Sequence, residues 1–195
     1  MRRKSITKRK LQAIKSKEFI YKIAMDLIKK KGFDNIRIKD ICKKAGVSIG
    51  AYYHYFDSKE AIFFENYKIA DDYFKNDVSK QLNQESFIEQ ILFFFKMYGR
   101  YNSAQGLDAI SQLYNSKNKL FIAKGRAMHV LLEKIINDGQ DKKEIKKDLP
   151  AEEIADYLFI MARGTVYDWV LYDAGYDLED KMVEYLKRLI VIFKA

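Results

Sequence analysis

The sequence is poor in residues that interrupt helices or ligate metals. Pro150 is the only proline and nine glycines are spread over 195 residues, which points to an all-α chain. Cys42 is the only cysteine, so no disulfide framework can form, and a cytoplasmic location is expected. His54 and His129 lie far apart, and with one cysteine they offer no zinc spacing; neither a metal nor another cofactor is expected. No apolar run reaches the roughly 18 residues of a membrane span. The basic N-terminus lacks the apolar segment of a signal peptide. A nucleophile–base pair and a glycine-rich phosphate loop are missing too, which argues against an enzyme.

What is present is charge, unevenly placed. Residues 1–60 hold 17 Lys/Arg against 6 Asp/Glu, a balance of +11; residues 61–195 hold 19 against 21, a balance of −2. Such asymmetry suggests a polyanion partner for the basic part, and by itself leaves DNA, RNA and anionic membrane open. Arg2, Arg3, Lys4, Lys8, Arg9 and Lys10 have no acid among them. They read either as a solubilising tail or as an arm adding phosphate or minor-groove contacts.

The apolar fraction of 48% suffices for a real core in one or two domains. Leu11, Ile14, Phe19, Ile20, Ile23, Ala24, Leu27 and Ile28 recur at helical spacing and stop at Lys29-Lys30-Lys31-Gly32. Residues 36–44 make a short amphipathic helix, Ala45-Gly46-Val47 a turn, and Ser48 the cap of a second short helix over about 48–55. Two short helices joined by a Gly-containing turn form a helix-turn-helix, whose second helix enters the DNA major groove. A helix follows from Asp57 or Ser58 to about Lys80. Others are expected over 87–101, where apolar residues occur almost all round, then 107–114 and 120–137; a loop at 138–147 precedes helices over 150–172 and 178–193. The last two carry more apolar surface than one bundle needs, which predicts two-fold pairing.

Gly32-Phe33, Ile41-Cys42, Ala45-Gly46-Val47-Ser48-Ile49-Gly50, Tyr53, Tyr55, Phe56 and Lys59 together resemble the DNA-binding head of the tetracycline-repressor (TetR) family of bacterial transcription factors. Ile36 and Arg37 depart from the pattern, standing where the family usually has threonines, so the usual hydroxyl cap of the first short helix is missing. The local run Trp169 with Tyr176-Asp177-Leu178 is similar to the junction of the last two helices in drug-efflux repressors of that family. The resemblance implies about nine helices: a helix-turn-helix head at 15–74 and a helical effector-binding and dimerisation domain at 75–195. It also implies a homodimer on the last two helices and a small-molecule pocket in each subunit. The expected function is a ligand-responsive repressor, released from a palindromic double-stranded DNA operator by a small hydrophobic or aromatic effector. The alternative is a DNA-binding protein of the same fold that acts through protein partners without a ligand.

For DNA contact the candidates are Arg37 on a phosphate, Ser48 as the cap that frees helical amides, and Ile49 and Gly50 at the start of the second helix, where Gly50 allows close approach. Tyr53 and Lys59 match family positions that contact phosphates, and Tyr52 and His54 could reach base edges. Tyr55 and Phe56 are expected in the core. For an effector, the candidates are Phe94, Tyr98, Tyr101, Tyr114, His129, Tyr157, Met161, Arg163 and Tyr167, although for any single ring bundle core is the simpler reading. Asp168 and Glu89 could meet a cationic ligand.

Overall fold

A computed structural model of the chain describes residues 8–114, 120–123 and 125–195. Arg2, Arg3 and Lys4 of the basic N-terminus lie outside these. The described chain is all-α, with nine α-helices: α1 (Lys8–Lys31), α2 (Ile38–Ala45), α3 (Ile49–Tyr53), α4 (Ala61–Tyr73), α5 (Phe87–Gln105), α6 (Leu107–Leu113), α7 (Ala127–Asp141), α8 (Ala151–Leu171) and α9 (Leu178–Leu189). They fall into two compact units, Met1–Asn66 and Tyr67–Ala195, so the division lies inside α4 and ahead of the expected 74/75 boundary.

In the first unit, the head, α1 supplies Ile20, Ala24, Leu27 and Ile28 to a core completed by Phe33, Ile36, Ile41, Cys42, Tyr52, Phe56, Ile62 and Phe63. The spacing of the α1 set places one apolar stripe against the shorter helices. Phe33 and Phe63 meet with ring centroids 4.9 Å apart. Gly46 ends α2 at φ +66°, in the left-handed region that costs glycine nothing, and Val47 N–H closes the turn on the Cys42 carbonyl at 3.1 Å. Ser58, of the two expected caps, is the one whose Oγ accepts from Ala61 N–H, at 3.2 Å.

In the second unit α5 packs against α7, α8 and α9. The crossing with α9 is close: a Cβ on Gly99 would come within 3.1 Å of the Leu178 carbonyl. Two expectations change here. The helix expected to run on to Lys80 leaves α geometry after Tyr73 and passes through a π turn (Phe74–Val78), in which Phe74 and Val78 both stay buried. The helix expected over 120–137 begins only at Ala127, because Gly125 at φ +73° and extended Arg126 separate it from the 3₁₀ turn Leu120–Ile122. It then continues to Asp141. Trp169 Nε1 donates to the Tyr176 carbonyl at 3.0 Å, tying the end of α8 to the turn before α9. No described helix is long and apolar enough to cross a membrane.

Candidate nucleic-acid interface and ligand site

Ser48 stands in extended geometry before α3, and its Oγ accepts from Ala51 N–H at 3.1 Å. One orphan amide of the first turn is thereby satisfied, and the others stay open to an anion. A Cβ on Gly50 would meet nothing closer than Ser48 Oγ at 3.9 Å, so this side of α3 is open. Ile49 is 53% and Tyr53 50% exposed, and His54 and Arg37 are exposed as well. Asp40 turns back to accept from the Arg37 N–H at 2.8 Å, which satisfies the start of α2 without the missing hydroxyl and leaves the guanidinium outside. Lys39, Lys43 and Lys44 on α2 are exposed too; Lys44 pairs with Asp26. Lys39 and Lys43 were missed in the sequence reading, although they fall on the polar face of α2.

One of the DNA candidates belongs elsewhere, and another already has partners within the head. Tyr52 is fully buried, its ring 5.4 Å from that of Phe56 and its hydroxyl donating to the Ser58 carbonyl at 3.0 Å. Burial pushes its phenol pKa up, and it cannot reach a base edge. On a helix this short, residue 52 is the one that turns inward while 49, 50 and 53 turn out. Lys59 is half-buried, and its ammonium donates to the carbonyls of Phe33 (2.8 Å) and Ile36 (3.1 Å) and lies 3.9 Å from the centroid of the Phe33 ring. Two of its three N–H donors thus fasten the 33–36 turn.

In the second unit five of the nine ligand candidates converge. Phe94 and Tyr98 from α5 and His129 from α7 surround Phe159 of α8; the His129 ring stacks on it at 4.2 Å. Tyr98 and Tyr114 share a hydroxyl–hydroxyl hydrogen bond of 3.1 Å, Tyr114 packs on Phe121 at 4.6 Å, and Arg163 Nη1 donates to the Phe121 carbonyl at 3.3 Å. Tyr101 stands apart, stacked on Tyr73 at 5.6 Å. The half-buried Met161 receives the Thr165 hydroxyl on its carbonyl at 3.1 Å. Tyr157 and Tyr167 are each about half exposed on the outer face of α8 and do not join the cluster. Nor do the two acids: Asp168 accepts from the Tyr176 hydroxyl at 3.0 Å, and Glu89 is exposed. Among the described residues, no group of His, Cys, Asp and Glu could hold a metal.

Burial, then the charges of Arg126 and Arg163, lowers the His129 pKa to about 4, with Asp156 and Asp71 opposing. The imidazole is therefore neutral in the folded protein at pH 7. As pH falls below the ordinary value near 6.5, the unfolded chain binds a proton that the folded chain refuses, so this stability is complete above that value and drains away towards pH 4. The expected loss at pH 5 is about 2 kcal/mol. Urea midpoints of wild type and His129→Gln at pH 7 and 5 check it; the variant should lose less.

The sequence matches two families: "Bacterial regulatory proteins, tetR family" over residues 20–65 and "YsiA-like protein, C-terminal region" over residues 108–192. The chain belongs to the tetR family of transcriptional regulators. The "Fatty acid metabolism regulator protein" of Bacillus subtilis is 24% identical to this tetR-family chain over 162 residues, 80% of the chain and 84% of that protein. The "Biofilm operon icaADBC HTH-type negative transcriptional regulator IcaR" of Staphylococcus aureus is 29% identical over 79 residues, 40% of the chain and 42% of that protein. The crystal structure of FadR from Bacillus subtilis in complex with stearoyl-CoA superposes with a TM-score of 0.70 at 22% identity, covering 87% of the tetR-family chain and 96% of that one. At that identity the likeness to the crystal structure is one of fold.

One group around the cluster was missed from the sequence. Asp71 receives Arg126 Nε (3.1 Å) and Nη2 (3.2 Å) and the Met128 N–H (3.2 Å), so a carboxylate of α4 anchors the start of α7. These residues stand 55 and 57 positions apart, and no local pattern connects them.

Proposed function

We propose that this tetR-family regulator is a homodimeric repressor that binds a palindromic operator through α2 and α3 and leaves it when a small apolar or aromatic molecule occupies the second unit. It has no catalytic role, and it works in the cytoplasm, where bacterial DNA is held. The observation that carries the reading is the outward row of Ser48, Ile49, Gly50, Tyr53 and His54, fixed from behind by buried Tyr52 and Phe56. Arg37, Lys39 and Lys43, exposed at the start of and along α2, supply the sequence-independent phosphate attraction. Ser48 and Gly50 let the start of α3 come close to the backbone, Ile49 and His54 face base edges, and Tyr53 holds a phosphate.

Support for the dimer comes from the outer face of α8. Tyr157, Ile160, Gly164, Tyr167 and Leu171 are all exposed, at steps of three and four that draw one stripe along the helix. Ile160 is 59% and Leu171 63% exposed, an unusual loss of burial for such side chains. Packing the stripe against its two-fold copy buries it. Tyr157 and Tyr167 thus become interface residues. The two heads of the dimer then present their α3 helices to successive major grooves, roughly 34 Å apart.

The ring cluster of the second unit is the effector site. The stearoyl-CoA in the fold's B. subtilis neighbour supports an effector with an apolar part. Such a molecule weakens DNA binding only if it favours the conformation that fits the operator less well. Titration of DNA from the protein's own upstream region, at several salt concentrations, tests the reading. Tyr53→Phe should weaken binding about tenfold on every sequence alike, the loss of one phosphate hydrogen bond. A changed base preference instead would remove Tyr53 from the phosphate role.

A further inference from the structure

The polar end of the ring cluster holds more donors than acceptors. Tyr98 is 6% exposed, and its hydroxyl lies 3.1 Å from that of Tyr114. Two phenols carry two protons, and one oxygen–oxygen contact places only one of them. The Asn102 side chain also meets the Tyr98 hydroxyl, but as a donor, so among the described residues it takes up no second proton. Burial raises both phenol pKa values, so neither hydroxyl resolves the mismatch by ionising.

Arg163 adds a charge to the same place. Its one hydrogen bond among the described residues is the 3.3 Å contact to the Phe121 carbonyl, and Phe121 packs on Tyr114. No carboxylate pairs with it there, whereas the neighbouring Arg126 is held two-pronged by Asp71. A guanidinium stays charged at any ordinary pH and offers five N–H donors, so one carbonyl contact leaves most of its capacity open. Its charge is felt by Tyr98, Tyr114 and His129, and these rings join it to the cluster of Phe94, Phe121 and Phe159, with neutral His129 stacked on the last. A half-buried cation with one carbonyl partner, beside a spare phenol proton, is better satisfied by an anion.

We propose that this place binds the carboxylate of an organic acid with an apolar tail. Arg163 is the counter-ion, the Tyr98–Tyr114 pair donates its free proton to a carboxylate oxygen, and the tail lies along Phe94, Phe121 and Phe159. An amine would be repelled by Arg163, and an alcohol brings no charge to balance it. The inference rests on reading the second unit as the effector domain.

Calorimetric titration of the full chain with decanoate, decan-1-ol and decanoyl-CoA tests it. Wild type should bind decanoate more tightly than either of the others, since one lacks the charge and the other masks it as a thioester. Arg163→Gln should weaken decanoate binding roughly 10- to 100-fold and leave decan-1-ol almost unchanged. Arg163→Lys, which keeps the charge and loses the fork, should recover part of the affinity; that recovery separates a lost counter-ion from a damaged fold. Decan-1-ol or decanoyl-CoA binding as tightly as decanoate overturns the proposal, as does an Arg163→Gln protein that binds decanoate like wild type. Decanoate that fails to bind a protein still able to hold its operator overturns the acid and leaves the regulator reading standing. Wild type that binds no DNA at all is a failure of that wider reading, and operator titration in parallel tells the two apart.

Discussion

Tyr52→Ala should cost the head about 3–5 kcal/mol, because it empties a fully buried ring site between α3 and the core. A small domain has about 5–15 kcal/mol in all, so much of the head's stability goes with one side chain. DNA binding should collapse on every sequence, while the second unit stays folded. Tyr52→Phe keeps the ring and removes only the hydrogen bond to the Ser58 carbonyl, so it should cost about 1 kcal/mol and leave base preference intact. Hydrogen exchange of the head amides, with DNA titration of both variants, decides between a core residue and a base reader. A Tyr52→Ala head that exchanges like wild type but prefers different bases contradicts the assignment.

Gly164→Glu should convert the proposed dimer to a monomer of 23.0 kDa without unfolding it. A Cβ at Gly164 meets nothing within 4 Å inside the protomer, and glycine in mid-helix is a weak helix former, so the protomer should gain about 0.5–1 kcal/mol. In the proposed dimer the same position lies between Ile160 and Tyr167 on the stripe that meets its own copy, so two new carboxylates would be brought together in an apolar contact. Operator affinity should fall about 100-fold or more, because the second head no longer binds as part of the same molecule. Light scattering and DNA titration give both readings. An unchanged mass would move the dimer contact away from α8.

Much of the architecture was legible because helices advertise themselves through spacing and caps. The α1 stripe, the Ser48 cap, Gly46 in its left-handed turn and the Trp169–Tyr176 junction are all local, and local chemistry is what a sequence displays. The π turn after Tyr73 and the late start of α7 were hidden. The first follows from keeping Phe74 and Val78 both in the core, and the second from Gly125 and Arg126, whose backbone angles no hydrophobic pattern announces. Side-chain roles were harder. Tyr52 and Tyr53 are neighbours of one type, and which faces inward depends on the roll of a five-residue helix. Lys59 gives no local sign of its carbonyl partners Phe33 and Ile36, which precede it by 26 and 23 positions. Tyr157 and Tyr167 share α8 with clustered Phe159 and Arg163 but point the other way. Asp71 and Arg126, joined across 55 residues, could be paired only in three dimensions.

The central claim is that the outward side of α3 reads DNA as part of a two-fold assembly. Footprinting on the protein's own upstream region, with wild type and with an Ile49→Ala, His54→Ala double variant, tests it most directly. The account predicts two protected half-sites on one face of the duplex, about one helical turn apart and related by a palindrome. In the double variant sequence preference should fall while weak, salt-sensitive binding persists. Protection without two-fold symmetry, or a double variant that keeps the wild-type footprint and preference, would contradict it.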